Sequence, residues 1–441
     1  MPDTAPTGAE RSDAYAWYVV GVLMLAYTLS YVDRTILSLM VAPIRASLHI
    51  SDVQLSLLHG LAFALFYTFL GIPIGRLVDR RRRTSIVAVG VATWSVMTAL
   101  CGAAQSFGQM FAARVGVGVG EAALSPAAFS MLGDWFTGKR LTRALSLYSA
   151  AIYLGGGIAT MAGGALIDAV GHVETRYTGV IEPWRMVFML VGLPGLFVGL
   201  LVATLREPER RGAVTQEVPS FPEVIAYLRA RARAYGLLIG GLALASTMWN
   251  GVSAWIPAHF ARNYGWTSGA IGLRYGAAVF VFSSAGILFG GWLAGRMRDR
   301  GRGDSNIRVG VISSLAALPF GVVATLMPTG WSCLGVLGFY LFAGAMPYGA
   351  AAAAFQEITP NRMRGQVSAI YLFALNLAGI GLGPTIVALL TQHVFGGDAS
   401  VRYAIATVVA VAAPLSAIML AAACKPYAAE LASQRAASAT A

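Results

Sequence analysis

Charge is scarce in this sequence. Only 12% of its 441 residues are Asp, Glu, Lys or Arg, whereas a soluble domain carries about 25%. A surface so poor in charge cannot face water over most of its area, which excludes the roughly three soluble domains that length alone would suggest. Lysine is nearly missing: Lys139 and Lys425 are two of 32 cations and arginine supplies the rest, a bias expected of a GC-rich bacterial genome. Cysteine is scarce too. Cys101, Cys333 and Cys424 lie in or beside apolar stretches without metal-ligand spacing, so they read as small buried hydrophobes rather than a disulfide framework. No metal-spaced histidines, nucleophile elbow or Walker loop occurs, which argues against an enzyme, a bound cofactor or an ATP-driven pump. The polar first fourteen residues lead into no short apolar core with a cleavage site, so the first helix itself is expected to direct insertion.

What is present is apolar surface. The chain is 57% hydrophobic with mean hydropathy +0.66. About 20 mostly apolar residues suffice to cross a hydrocarbon core of about 30 Å. Such stretches begin near Ala16, Val53, Thr84, Gly108, Arg143 and Trp184, and again near Ala234, Ser268, Asn306, Trp331, Met363 and Ser400. The expected fold is therefore all-α and integral to a membrane, with twelve transmembrane helices in two pseudo-symmetric six-helix halves. The divisions expected are a tail over 1–15, a bundle over 16–205, a linker over 206–233 with a surface helix near 221–231, a second bundle over 234–425 and a tail over 426–441. The segment 171–183 is expected to form a small hairpin.

The net charge of +12 does not point to nucleic acid, because the cations sit in short loops. With the N-terminus inside, the tails and even-numbered loops hold twenty-four cations and the outer loops six. Such a bias places both termini in the cytoplasm, and a bacterial inner membrane is the expected location. The halves also echo each other. Gly75-Arg76-Leu77-Val78-Asp79-Arg80 ends the second span and Gly295-Arg296-Met297-Arg298-Asp299-Arg300 the eighth, as expected of duplicated halves in a carrier.

Asp33, Arg34, Arg114 and Glu121 are the charges expected deep inside spans. A charge at a helix centre costs about 2.5–3.5 kcal/mol on insertion scales, so such residues usually pair and usually function. At 1.5 Å per residue Asp33 falls between Arg114 and Glu121 in depth, and Arg114, Gly118 and Glu121 share one face of the fourth span. Burial raises a carboxylate's pKa and a nearby arginine lowers it, so a carboxylate that meets arginine in one state only would bind and release protons. A static ion pair is the alternative. Gly116, Gly118 and Gly120 lack the strand that a dinucleotide loop requires and are expected to let helices approach closely. Gly155–Gly157 are expected either to bend or to pack.

Aromatic and amide residues recur in the second half: Trp249, Asn250, Trp255, Phe339, Tyr340, Phe342, Tyr371, Phe373 and Asn376. With Tyr31 and His59 they are candidate cavity-lining residues, although large rings also dominate ordinary packing. A cavity charged on one wall and apolar on the other suits an amphipathic ligand.

The loop after the second span is close to the signature G-x-L-a-D-R-x-G-R-R, departing at Arg82 and Thr84, and Arg114-Val115-Gly116-Val117-Gly118 matches R-x-x-x-G. On these motifs the chain resembles the major facilitator superfamily. Ser30-Tyr31-Val32-Asp33-Arg34 and Gly118-Val119-Gly120-Glu121-Ala122 resemble its Spinster-type branch, while Gly379–Pro384 lacks that branch's acidic element. The resemblance implies a monomeric secondary transporter in membrane lipid, working by alternating access on a sphingolipid- or lysophospholipid-like substrate. It also implies a gate latch built from Gly75, Asp79, Arg80 and Asp134, with Arg81–Arg83 as topology anchors. An organic-anion or drug carrier of the same fold is the alternative, and a non-transporting receptor or scaffold the rival from another class.

Overall fold

The computed structural model describes residues 8–170, 173–175, 179–210 and 219–439. Among them, eleven helical stretches are long and apolar enough to cross a membrane. The 32-residue helix Gly138–Ala169 occupies the position expected of the fifth span. Strands Val173–Thr175 and Gly179–Ile181 pair antiparallel with Val173 opposite Ile181, the expected hairpin; His172 and Arg176 lie outside the described residues.

Helix starts follow local capping chemistry. Ser51 and Gln54 form a capping box before the second span, the Ser51 hydroxyl accepting from the Gln54 N–H at 3.1 Å and the Gln54 side chain accepting from the Ser51 N–H at 2.9 Å. Thr329 and Ser332 repeat the arrangement before the tenth, so two otherwise orphaned donors are satisfied at each end. The seventh span ends on Gly265 at φ 65°, a left-handed conformation that glycine adopts without steric cost.

The chain divides into two compact units, Met1–Leu37 with Leu65–Ala213, and Ser38–Ala64 with Val214–Ala441. In the first, spans 3, 4 and 6 pack at backbone distance. A Cβ on Gly120 would stand 2.7 Å from the Gly90 carbonyl oxygen and 2.7 Å from the Trp94 nitrogen, and one on Gly192 2.6 Å from the Ser95 carbonyl oxygen. The glycines of 116–120 lie inside the helix Phe107–Glu121; like Gly120, Gly116 is close-packed, a Cβ there standing 2.5 Å from Met97 Cγ. A Cβ on Gly155 would likewise stand 3.2 Å from the Thr28 Cα.

The second unit differs from the expected division, because residues 38–64 belong to it and not to the N-terminal bundle over 16–205. Arg262 grips Asp52 through both terminal nitrogens at 2.7 and 2.8 Å. Arg45 bridges Asp52 at 3.2 Å and Asp398 at 2.7 Å. Ser268 donates to the Leu39 carbonyl at 3.0 Å. Gly60, in a π-helical stretch Leu57–Leu61, lies bare against the carbonyls of Ile380 and Gly381, in the π-helical stretch Leu377–Leu382.

Two expected tails are structured. The helix of span 12 runs on to Ala439, burying Tyr427 and Leu431 in the core and pairing Glu430 with Arg231 at 2.9 Å. Span 1 begins at Gly8, within the expected 1–15 tail, and its Asp13 pairs with Arg140 at 2.7 Å. In the linker, helix Phe221–Ala230 buries Val224, and Tyr227 donates to the Ile358 carbonyl at 3.1 Å.

Candidate functional site: a buried charge cluster

Asp33, Arg34, Arg114 and Glu121 all lie in the first unit, on the first and fourth spans. The fourth span is interrupted where it matters, since one helix ends at Glu121 and the next begins at Leu124. Arg34 ion-pairs with Glu121, its Nε 2.7 Å from Oε2. Ser30, one turn before Arg34, donates to the same oxygen at 2.6 Å. Arg114 donates to the Asp33 backbone carbonyl at 3.2 Å, which ties span 4 to span 1. Asp33, Arg114 and Glu121 are all buried, whereas the Arg34 side chain is 20% exposed. The guanidinium of Arg34 also lies over Tyr31 and Tyr67, 5.3 and 5.2 Å from their ring centroids.

Two oxygens stand out. Asp33 Oδ1 and Glu121 Oε1 are buried and have no hydrogen-bond partner among the described residues. An unpaired buried polar atom is costly, and native proteins rarely keep one without a use. Ser30 and Tyr67 were not among the sequence candidates. The i, i+4 spacing of Ser30 and Arg34 was the available signal for the first.

The candidate lining residues of the second unit separate into two groups. Trp255 is buried and donates to the Pro384 carbonyl at 2.9 Å. Tyr371 stacks on Phe355 at 4.1 Å within the core. Phe339 is 54% exposed beside Phe282 and Phe320. Trp255 and Tyr371 are thus packed within the unit, whereas Phe339 is exposed. Trp249, half-buried, stacks on Tyr340 at 6.2 Å and meets Tyr348 edge-on. Its neighbour Asn250 donates to the Ser246 carbonyl at 2.9 Å. His59 and Asn376 are half-buried, His59 in the π-helical stretch of span 2 and Asn376 at the residue preceding that of span 11.

At the end of span 2, Gly75 has open space at its Cβ position and Arg80 is exposed. The side chain of Asp79 lies outside the described residues. Asp134 ion-pairs with Arg83. Arg83 departs from the anchoring role expected of it. It is buried, and it donates to Ser130 at 2.9 Å, Glu207 at 2.6 Å and the Pro208 carbonyl at 2.9 Å. Glu207 also accepts from the Thr84 N–H at 3.0 Å. Burial pushes the Glu207 carboxyl up, but the Thr84 N–H and Arg83 outweigh it and hold the group below the usual glutamate range.

The Major Facilitator Superfamily model matches residues 23–384. The chain is 29% identical over 385 residues to an MFS-type efflux pump of Mycolicibacterium smegmatis, covering 86% of this chain and 85% of that one. It is 25% identical over 374 residues to a probable L-galactonate transporter of Escherichia coli, covering 80% and 78%. The crystal structure of a bacterial homologue of the human lysosomal transporter Spinster, inward-facing and unoccupied, superposes with TM-score 0.78 at 27% identity, covering 95% of this chain and 97% of that one. Membrane-crossing helices, duplicated halves, signature loop and buried charge cluster thus converge with these likenesses: the chain belongs to the Major Facilitator Superfamily, and is a multi-pass membrane transporter near its Spinster branch rather than an enzyme.

Proposed function

We propose that this transporter couples proton movement to the passage of an amphipathic, lipid-like molecule of the sphingolipid or lysophospholipid type, by alternating access. The carrying observation is the pair of buried carboxylates with one unpartnered oxygen each, beside an arginine that engages only one of them. A proton is the smallest partner either oxygen accepts. If Arg34 leaves Glu121 in another state, Glu121 gains the same need, and the two carboxylates exchange roles as the carrier changes state. The Spinster likeness and the half-buried Trp249 ring support a substrate with a greasy portion. We further infer a cytoplasmic location for both termini in a bacterial inner membrane, a monomer, and an inner latch at the end of span 2 involving Gly75, Asp79, Arg80 and Asp134.

The L-galactonate likeness favours a second reading, in which a small sugar acid is carried and Arg34 attracts its carboxylate. Proteoliposomes distinguish the two: lysolipid and hexonate uptake are measured with and without an imposed pH gradient, in the wild type and in Asp33→Asn. Lysolipid movement accelerated by the gradient and unresponsive to it in the variant is the expected result. Hexonate movement alone would overturn the lipid reading, and an undiminished gradient response in Asp33→Asn would overturn the coupling.

A further inference from the structure

Within the second unit, Arg233 at the start of span 7 and Lys425 near the end of span 12 line one open cavity of about 450 Å³ with Ala421, Ala422 and Pro426. Both cations are exposed, and neither has an acidic partner within ion-pairing distance among the described residues. Their neighbour Arg231, by contrast, is held by Glu430. Just inside the cavity the two helices touch closely: a Cβ on Gly241 would stand 2.7 Å from Leu420 Cγ. Arg233 and Lys425 therefore project at the same end of an antiparallel pair, roughly 12 and 8 Å beyond that contact at 1.5 Å per residue. Gly236, about one turn from Arg233, has open space at its Cβ position.

An apolar track runs down from the cations. Val411, Leu415 and Ile418 are 54%, 45% and 64% exposed and share one face of span 12 with Ala422 and Lys425, at i, i+4, i+7, i+11 and i+14. From Val411 to Lys425 the face is roughly 21 Å long, which covers the acyl region of one leaflet, about 15 Å deep, and reaches its headgroups. Two unpaired cations above a groove floored by alanine, continuous with an exposed apolar face, match a phosphate joined to acyl chains. Arginine offers a phosphate two parallel donors, and each basic residue near a membrane surface strengthens anionic-lipid attraction.

We propose that Arg233 and Lys425 hold the phosphate of one anionic glycerophospholipid of the surrounding leaflet, with its acyl chains along Val411, Leu415 and Ile418. This lipid is a bound neighbour and does not depend on what the protein transports. Native mass spectrometry of the full chain in detergent, titrated with phosphatidylglycerol or with phosphatidylcholine of the same acyl chains, tests it. The first phosphatidylglycerol should bind several-fold more tightly than the first phosphatidylcholine. Arg233→Gln/Lys425→Gln should weaken phosphatidylglycerol binding about fivefold to thirtyfold and leave phosphatidylcholine unchanged. The charge-preserving Arg233→Lys/Lys425→Arg should keep the preference, which separates lost charge from lost fold. An equal loss in Arg300→Gln/Arg302→Gln would overturn the proposal, because diffuse charge would then suffice. So would loss of the preference on adding inorganic phosphate, because the site would then take a free ion rather than a lipid.

Discussion

Both units bury charge, but at different depths. In the first, Glu121 is the middle residue of the stretch Phe107–Trp135, and Arg34 reaches it there. In the second, ion pairs gather at helix ends. Asp52 opens its helix, Arg262 stands two residues from the end of its own, and Arg298 and Glu357 each stand one residue from theirs. The hydrophobic interior of the second unit holds aromatic stacks and hydroxyls, such as Ser314 on Ser416 at 3.0 Å. A charge at a helix end keeps access to headgroups and water and needs no special justification. A charge at the membrane centre lacks that access, so it is the one to suspect of function.

The difference predicts unequal costs. Arg34→Gln leaves Glu121 buried without its cation and should destabilise the protein by about 3–5 kcal/mol, while Arg45→Gln should cost less than about 1 kcal/mol, since Asp398 is exposed and Asp52 keeps Arg262. Unfolding midpoints in mild detergent compare them, and equal losses would erase the distinction.

Glu207 asks whether the cost belongs to the unit or to the depth, because it lies in the first unit but beyond the end of span 6. Its charge-assisted hydrogen bonds should be worth about 1.5–3 kcal/mol. Its carboxyl titrates lower in the folded protein than in the unfolded chain, so the unfolded state binds more protons in between. The stabilisation is then complete above the ordinary glutamate range, near pH 4.5, and is lost as pH falls through the depressed value. Glu207→Gln should flatten the fall in unfolding midpoint below about pH 4.5. A fall as steep as the wild type's would assign it to other carboxylates.

The smallest effect concerns the second unit's interior. Trp255→Phe removes one hydrogen bond to the Pro384 carbonyl and should cost about 1 kcal/mol, with the substrate profile unchanged. A changed profile would return Trp255 to the cavity wall.

What the sequence makes legible is whatever breaks its apolar background. A charge within a span is conspicuous, so the four-residue cluster is readable, as are hairpin, linker helix and repeated loop motif. What stays hidden is the direction in which a helix turns its side chains. Phe339 and Tyr340 are successive residues about 100° apart around one helix; the first is exposed and the second buried. Lipid and protein interior are both apolar, so no polarity contrast marks either face. For the same reason nothing among Arg80–Arg83 marks Arg83 as the one turned inward; its partners Asp134 and Glu207 come from elsewhere in the chain. The affinity of residues 38–64 for the second unit likewise depends on Arg262, Ile380 and Asp398, more than two hundred residues away.

That last feature bears on how the protein is made. The chain leaves the first unit at Ser38 to complete the second, then returns at Leu65. The second unit therefore contains an early-synthesised piece whose docking surfaces, including the carbonyls that face Gly60, emerge only with spans 7 and 11. Until then Asp52 has no Arg262. Order of synthesis and order of completion diverge: a polypeptide severed after Ala213 would leave the early fragment with the whole first unit and the later fragment without residues 38–64, so the second unit can mature only with a piece of the first half of the chain.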